Sequence, residues 1–245
     1  MKDFFSHGSP FLGHPLLTAE RTQREIDFLV DALALGPNAR VLDVGCGFGR
    51  HTIELGRLNF GALGIDPAAA MIEAARARAE EAGVAVEFQQ VAGENFAGAG
   101  QFDAAICLFT TLGQVAADSR ADNRGLLAAV ANALKTDGLF ALELPQKQPA
   151  LDALKASERF GSASNYTEVQ RSYDAEADLV TEQFHVVTPS QTQTFRLRYR
   201  LFSQEDAAVL LCAAGLRIGQ RYAGYTCAEL TEYSPNMLLI CERCL

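Results

Sequence analysis

No stretch of this 245-residue sequence approaches the roughly 20 consecutive apolar residues that a membrane-crossing helix needs. The opening run, MKDFFSHGSPFLGHPLL, carries an early acid and two histidines and has no continuous apolar centre, unlike a secretory leader. Positive charge is scarce: 21 lysines and arginines face 30 aspartates and glutamates, for a net charge of −9 and no basic cluster. That balance is unfavourable for a polyphosphate backbone, so neither nucleic acid nor a membrane is expected as a partner. Metal-ligand sets are missing as well. The four histidines, His7, His14, His51 and His185, are far apart in sequence. Cys241-Glu242-Arg243-Cys244 is formally a CxxC, yet no second pair completes a zinc site of about four ligands. No metal is expected. Six cysteines scattered through apolar segments, in a chain long enough for its own core, fit free thiols in a reducing, cytoplasmic setting. No internal repeat or low-complexity tract occurs.

What the sequence does have is concentrated in Val41–Gly49, VLDVGCGFG. An apolar run with an acid at Asp43 leads into glycines at 45, 47 and 49. A second acid, Asp66, closes the next apolar run, ALGID, 21 residues beyond Gly45. A strand buried on both faces is nearly all apolar, which fits Val41, Leu42 and Val44. Glycines then allow a sharp turn into a helix and let a ligand approach the backbone. The helix start leaves free N–H groups aimed at that ligand. A carboxylate at the end of the neighbouring strand can accept both hydroxyls of a ribose, at about 1.5–3 kcal/mol per hydrogen bond. The pairing predicts a nucleoside-containing cofactor lying across the carboxyl ends of two adjacent parallel strands.

Two glycine patterns compete. The dinucleotide fingerprint GxGxxG would place its third glycine at position 50, which is Arg50. The run is GxGxG instead, with Asp43 two residues ahead of it. A pyrophosphate would be repelled by that acid, whereas a ligand carrying an amino group would be attracted. VLDVGCGFGR resembles motif I of the class I S-adenosylmethionine-dependent methyltransferases, in their small-molecule branch, and the likeness extends over Ala39 to Leu144. It implies S-adenosyl-L-methionine as cofactor and S-adenosyl-L-homocysteine as product. It also implies that the loop Gly45, Cys46, Gly47 to Gly49 lies under the methionine portion and ribose. Asp43 would orient this loop and the cofactor amino group, and Asp66 would hold the ribose hydroxyls. Ile65 and Pro67 or Met71 would flank the adenine, and Leu108 and Phe109 would lie beside the transferable methyl. The family commonly has an acid after its third strand facing the adenine amino group. Here the aligned position falls near Ala92, and Gly93 or Glu94 takes its place. Arg50 and Arg21 are candidates for the cofactor carboxylate, and equally for surface ion pairs.

Strand and helix alternate along the chain. Thr18 caps a helix to about Leu35, with Ile26, Leu29, Val30 and Leu33 as its buried stripe. Strands are predicted at Ala39–Val44, Ala62–Ile65, Ala85–Gln90, Phe102–Phe109 and Leu139–Leu144, the last entered by a turn at Lys135–Gly138. Helices are predicted after the glycines, from Asp66-Pro67 to Gly83, and over Arg120–Leu134. After Pro145 the pattern becomes antiparallel: Tyr166–Tyr173, Leu179–Thr188 and Thr192–Phe202. A helix at Gln204–Ala214 and closing strands at Arg217–Tyr222 and Met237–Glu242 follow. The expected fold class is α/β: a Rossmann-like, doubly wound, mostly parallel sheet with helices on both faces, plus a small antiparallel β insertion. Four segments are expected within one domain: an N-terminal lid and helix (1–38), the cofactor core (39–145), the insertion as a substrate cap (146–202), and a closing helix and strands (203–245).

Methyl transfer from a sulfonium is a direct in-line displacement that needs no metal, and it needs a base only when the acceptor arrives protonated. No catalytic signature is therefore expected beyond the cofactor site. His7 and His14, in a segment able to fold over the site, and Tyr222 and Tyr225, in YAGYT at a strand end, are the weak candidates. All six tyrosines lie in the last third, either walling a pocket or simply suiting half-buried strands. The acceptor is expected to be a small molecule methylated on nitrogen or oxygen. The alternatives are another transferase using the same cofactor and a non-catalytic module binding it; a nicotinamide dehydrogenase is disfavoured by Arg50 at the third-glycine position. Exposed strands of the insertion are available to pair in a homodimer.

Overall fold

The structure, a computed structural model, describes residues 2–3, 17–115 and 123–244. The elements run β1 Lys2–Asp3, α1 Ala19–Ala32, β2 Arg40–Val44, α2 Arg50–Arg57, β3 Gly61–Asp66, α3 Ala69–Glu81, β4 Glu87–Gln90, β5 Phe102–Cys107, α4 Thr111–Val115, α5 Arg124–Ala133 and β6 Leu134–Pro145. They continue with α6 Lys147–Asp152, β7 Ser157–Gly161, β8 Tyr166–Asp174, β9 Leu179–Val187, β10 Thr192–Arg200, α7 Gln204–Ala213, β11 Leu216–Tyr222 and β12 Asn236–Arg243.

Seven strands form one sheet in the order β11-β12-β6-β5-β2-β3-β4. The five from β6 to β4 are parallel, and β12 runs antiparallel to both β6 and β11. The order reverses at β2, whose neighbours are β3 on one side and β5 on the other. Sheets of this kind bind ligands at that switch, outside the carboxyl ends of the strands. The other five strands form a second sheet, β1-β10-β9-β8-β7, antiparallel except for the β1–β10 pair. The α/β architecture with an antiparallel insertion is thus present as the alternation of elements implied.

Side chains alternate across each strand, so the sheet has two cores. Leu42, Val44, Ala105, Cys107, Phe140 and Leu142 pack toward α5 and α7 with Leu126, Leu127 and Leu211. Val41, Ala104, Ile106, Ala141 and Ile240 pack on the opposite face beneath α1 and α2, against Ile26, Leu29 and Leu55. Asp43 and Glu143 belong by alternation to this second face, which buries two carboxylates under α1 and α2.

Several boundaries differ from the sequence expectation. Helix α1 begins at the Thr18 cap, whose hydroxyl accepts the Arg21 N–H, but it ends at Ala32 rather than near Leu35. Ala34 adopts a left-handed conformation, and the Leu35 N–H turns back to the Val30 carbonyl, closing the helix a turn before Gly36-Pro37. Strand β6 starts at Leu134, five residues early, because Leu134 pairs with Phe102 while Leu139 pairs with Ala104. The expected turn at Lys135–Gly138 is a wide irregularity inside the strand. Strands β1 and β7 and the short helix α4 carry no sequence signal.

The insertion is anchored at its base. Gln146 forms a bridge with Phe202, its amide donates to the Thr231 and Ser234 carbonyls at 2.8 and 2.5 Å, and its oxygen accepts from Gln204 at 2.8 Å. Helix α4 supports the insertion from the other side. A Cβ on Gly113 would lie 2.8 Å from the Arg200 carbonyl of β10.

Candidate functional site

The glycine loop leaves β2 at the switch point and enters α2. Gly45, Gly47 and Gly49 all have positive φ, at 72°, 54° and 80°. Two of them are also held to glycine by contact. A Cβ on Gly45 would sit 2.2 Å from Thr111 Cγ2, and one on Gly49 would sit 2.7 Å from the Phe88 ring. The Gly45 and Cys46 N–H groups donate to the Ile65 carbonyl at 2.8 and 3.0 Å, stitching the loop to the end of β3. Gly49 caps α2 with no side-chain hydrogen bond to its first turn.

Asp66 stands beside this loop. Its Oδ2 accepts the Gly47 N–H at 3.0 Å and its Oδ1 the Ala68 N–H at 2.9 Å. Each carboxylate oxygen has a second lone pair, so two acceptor positions remain on the ligand side. Burial raises the Asp66 carboxyl above its usual range, against the pull of the Ala68 and Gly47 N–H groups and with the help of the Asp43 charge.

Asp43 is 2% exposed and accepts the Thr52 hydroxyl at 2.6 Å. Burial raises its carboxyl too, opposed by the charges of His51 and Arg50. Cys46 lies in the loop with its thiol 3.6 Å from the Gly47 carbonyl, and burial pushes that thiol up, away from reactivity.

A cationic cluster, which sequence reading did not identify, borders the loop. Glu25 of α1 is 1% exposed. It accepts from Arg21 Nε at 2.6 Å, from His51 Nε2 at 2.8 Å and from Arg50. Burial works to raise the Glu25 carboxyl, but the His51 hydrogen bond and the charges around it prevail and hold it at about 2. Arg50 also donates to the Thr22 hydroxyl at 3.1 Å. Its Nη2 is buried with no hydrogen-bond partner among the described residues, and only 10% of the side chain is exposed. The only sequence trace of this cluster is the Arg21–Glu25 spacing of four on one helix face.

The rim after β5 completes the site. Leu108 is buried, while Phe109 and Thr110 have positive φ values of 56° and 68°. The Phe109 ring lies beneath both guanidiniums, 5.4 Å from Arg21 and 5.6 Å from Arg50. On the other side of Asp66, Pro67 precedes α3 and Met71 is fully buried on the inward side of that helix. Gly93 begins a short 3₁₀ turn. A Cβ on it would meet Leu126 at 2.8 Å, so it faces the core, and its neighbour Glu94 is exposed.

The catalytic candidates are dispersed. His7 and His14 lie outside the described residues. The Tyr222 hydroxyl donates to Gln220 at 2.7 Å, and its ring meets Phe28 edge-on. The Tyr225 hydroxyl donates to Glu143 at 2.9 Å. His51 is engaged with Glu25. Among the described residues no group of three or more His, Cys, Asp or Glu could hold a metal ion, and no helix is long and apolar enough to cross a membrane.

The arrangement suits a ligand with ribose hydroxyls, a positive charge and a carboxylate: two acceptor positions on Asp66, acidic Asp43 beneath the loop, and an unpaired guanidinium N–H on Arg50. Comparison with known proteins points the same way. A family model described as a methyltransferase domain matches residues 41–138. The chain is 28% identical over 199 residues to the ubiquinone biosynthesis O-methyltransferase of Xanthomonas campestris pv. campestris, covering 77% of this chain and 80% of that protein. The enzyme of the same description from Azorhizobium caulinodans is 41% identical over 81 residues, and that match spans only 32% of either chain. The solved structure of S-adenosylmethionine-bound CalS10, an amino pentose methyltransferase from Micromonospora echinaspora, superposes with a TM-score of 0.68 at 21% identity over 96% of this chain and 95% of that one. At that identity the likeness is one of fold.

Proposed function

We propose that this chain, a class I S-adenosylmethionine-dependent methyltransferase by its methyltransferase-domain match over residues 41–138, methylates a nitrogen or oxygen of a small-molecule acceptor. The observation that carries this reading is the Asp66 carboxylate. It is tied by two backbone N–H groups to the glycine loop and the start of α3 and keeps a lone pair on each oxygen for a ribose. The Gly45–Gly49 loop, with Cys46, carries the methionine portion, and Asp43 sets the local charge that favours its amino group. Arg50 offers its unpaired Nη2 to the carboxylate. Pro67 and Glu94 border the adenine, with Met71 and Gly93 packed behind them, and Leu108 and Phe109 border the reacting centre.

S-adenosylmethionine supplies an already activated methyl group. Held there, it would pass that methyl to the acceptor's lone pair, with the carbon–sulfur electron pair returning to sulfur. The protein's work is alignment and exclusion of water, worth about 7–11 kcal/mol where reactants are well oriented. An amine acceptor that arrives neutral needs no base. His51 is held by Glu25 and Tyr225 by Glu143, so neither is presented to an acceptor. The antiparallel sheet, joined to the rim through α4, forms the cap over the acceptor. Relatives described as acting in ubiquinone biosynthesis and on an amino pentose fit small acceptors of both atom types.

The test is incubation with S-adenosylmethionine carrying a deuterated methyl and a panel of phenols, catechols, amines and amino sugars, read by mass spectrometry. Gain of one labelled methyl on a panel member is expected. Transfer of a different group from the cofactor would contradict methylation. Tight cofactor binding without turnover of any panel member would contradict an enzyme of this acceptor class.

A further inference from the structure

Glu143 lies near the end of β6 on the α1-covered face and is 4% exposed. Its Oε2 accepts two hydrogen bonds at 2.9 Å, one from the Phe109 N–H and one from the Tyr225 hydroxyl. The first donor belongs to the rim after β5, and the second reaches in from the segment after β11. Burial and the Glu143 charge raise the Tyr225 phenol far above its usual range, so it remains a donor.

Phe109 and Thr110 are successive non-glycine residues in the left-handed region. Each such residue costs about 1–2 kcal/mol, and neither is a glycine, the residue that adopts this region freely. A hydrogen bond to a charged acceptor contributes about 1.5–3 kcal/mol, which offsets much of that strain. The turn leads directly to the cofactor loop. The Thr111 hydroxyl donates to the Leu108 carbonyl at 2.9 Å, and the Thr111 side chain fills the space where Gly45 has no Cβ. The Phe109 ring is meanwhile fixed beneath Arg21 and Arg50. One residue is thus gripped at its main chain from β6 and at its ring from α1 and α2.

We propose that Glu143, steadied by the Tyr225 hydroxyl, is a positioning residue for methyl transfer: it holds the Phe109–Thr110 turn in the left-handed shape that walls the reacting centre, a role that rests on the rim being the transfer site. Glu143 touches neither reactant in this role. It acts through the backbone of Phe109, and Tyr225 acts through Glu143.

The experiment compares wild type with Glu143→Gln and Tyr225→Phe. Gln keeps the size but loses the charge, and Phe removes only one hydroxyl. The Phe109 amide resonance of ¹⁵N-labelled protein reports the hydrogen bond. Titration with S-adenosylhomocysteine reports the cofactor site, and kinetics are measured with whichever panel acceptor the wild type methylates fastest. In Glu143→Gln the Phe109 amide should move upfield and kcat fall about 10- to 100-fold, the scale of a misplaced reactant. Affinity for S-adenosylhomocysteine should stay within about threefold, a loss confined to the transition state. Tyr225→Phe should show a smaller loss of the same kind, and it serves if the first variant folds poorly. A normal kcat in both variants, or an unmoved Phe109 amide, overturns the proposal alone. A wild type that binds no S-adenosylhomocysteine overturns the methyltransferase reading, and this role with it.

Discussion

Glu25 shows how much one side chain can hold together. Without its carboxylate, Arg21, Arg50 and His51 would face one another in a nearly dry space. A carboxyl held at about 2, against an ordinary value near 4.5, contributes on the order of 3 kcal/mol to folding at neutral pH. Because the folded value is the lower one, this contribution is complete above about pH 4.5–5. It is lost as pH falls toward 2. Asp43 and Asp66 act in the opposite sense, since burial raises their carboxyls and the folded protein binds their protons more readily. The Glu25 share is therefore isolated by comparing wild type with Glu25→Gln in urea unfolding at two pH values. The variant should be less stable by about 3 kcal/mol at pH 6, and the gap should narrow by about 1.4 kcal/mol at pH 3.5. A gap that does not change with pH would contradict the ion-pair account.

Among elements, the turn from β2 into α2 is the most constrained. Gly45 combines a φ of 72° with a missing Cβ whose place is filled by Thr111, the first residue of α4. Gly45→Ala must strain its own backbone and displace α4, which also carries β10. The expected cost is about 2–4 kcal/mol in thermal unfolding, together with weaker cofactor binding. Unchanged stability would show that α4 yields freely. This turn was legible in sequence because glycine spacing, an apolar strand and an acid all pointed to one geometry. The neighbouring turn at Phe109–Thr110 was not legible, because its conformation is imposed by Glu143, 34 residues away. Strand β7 was hidden for another reason. SERFG is mostly exposed and shows no alternation, so only pairing with β8 makes it a strand. The Glu25 cluster likewise joins residues 25 and 26 positions apart, which no local pattern records.

At the scale of the molecule, the strand order decides where chemistry can happen. Reversal at β2 leaves a crevice outside the carboxyl ends of β2 and its neighbours β3 and β5, and the glycine loop, Asp66, the Phe109 rim and the cationic cluster converge on it from α1, α2, β3 and β5. A chain of net charge −9 thereby presents a local cationic corner, with Asp43 buried beneath it, suited to a zwitterionic nucleoside. The alternation of strands and helices made this sheet readable from sequence. The joining of β1 to β10 and of α4 to the insertion depends on long-range contacts and was not. The central claim is that Asp66 grips the ribose of a nucleoside cofactor, and calorimetric titration of S-adenosylhomocysteine into wild type and Asp66→Ala tests it most directly. Wild type should bind one equivalent and the variant about 100-fold more weakly, as loss of hydrogen bonds to a charged acceptor requires. Equal affinity in the two proteins, or no binding by the wild type, would contradict it.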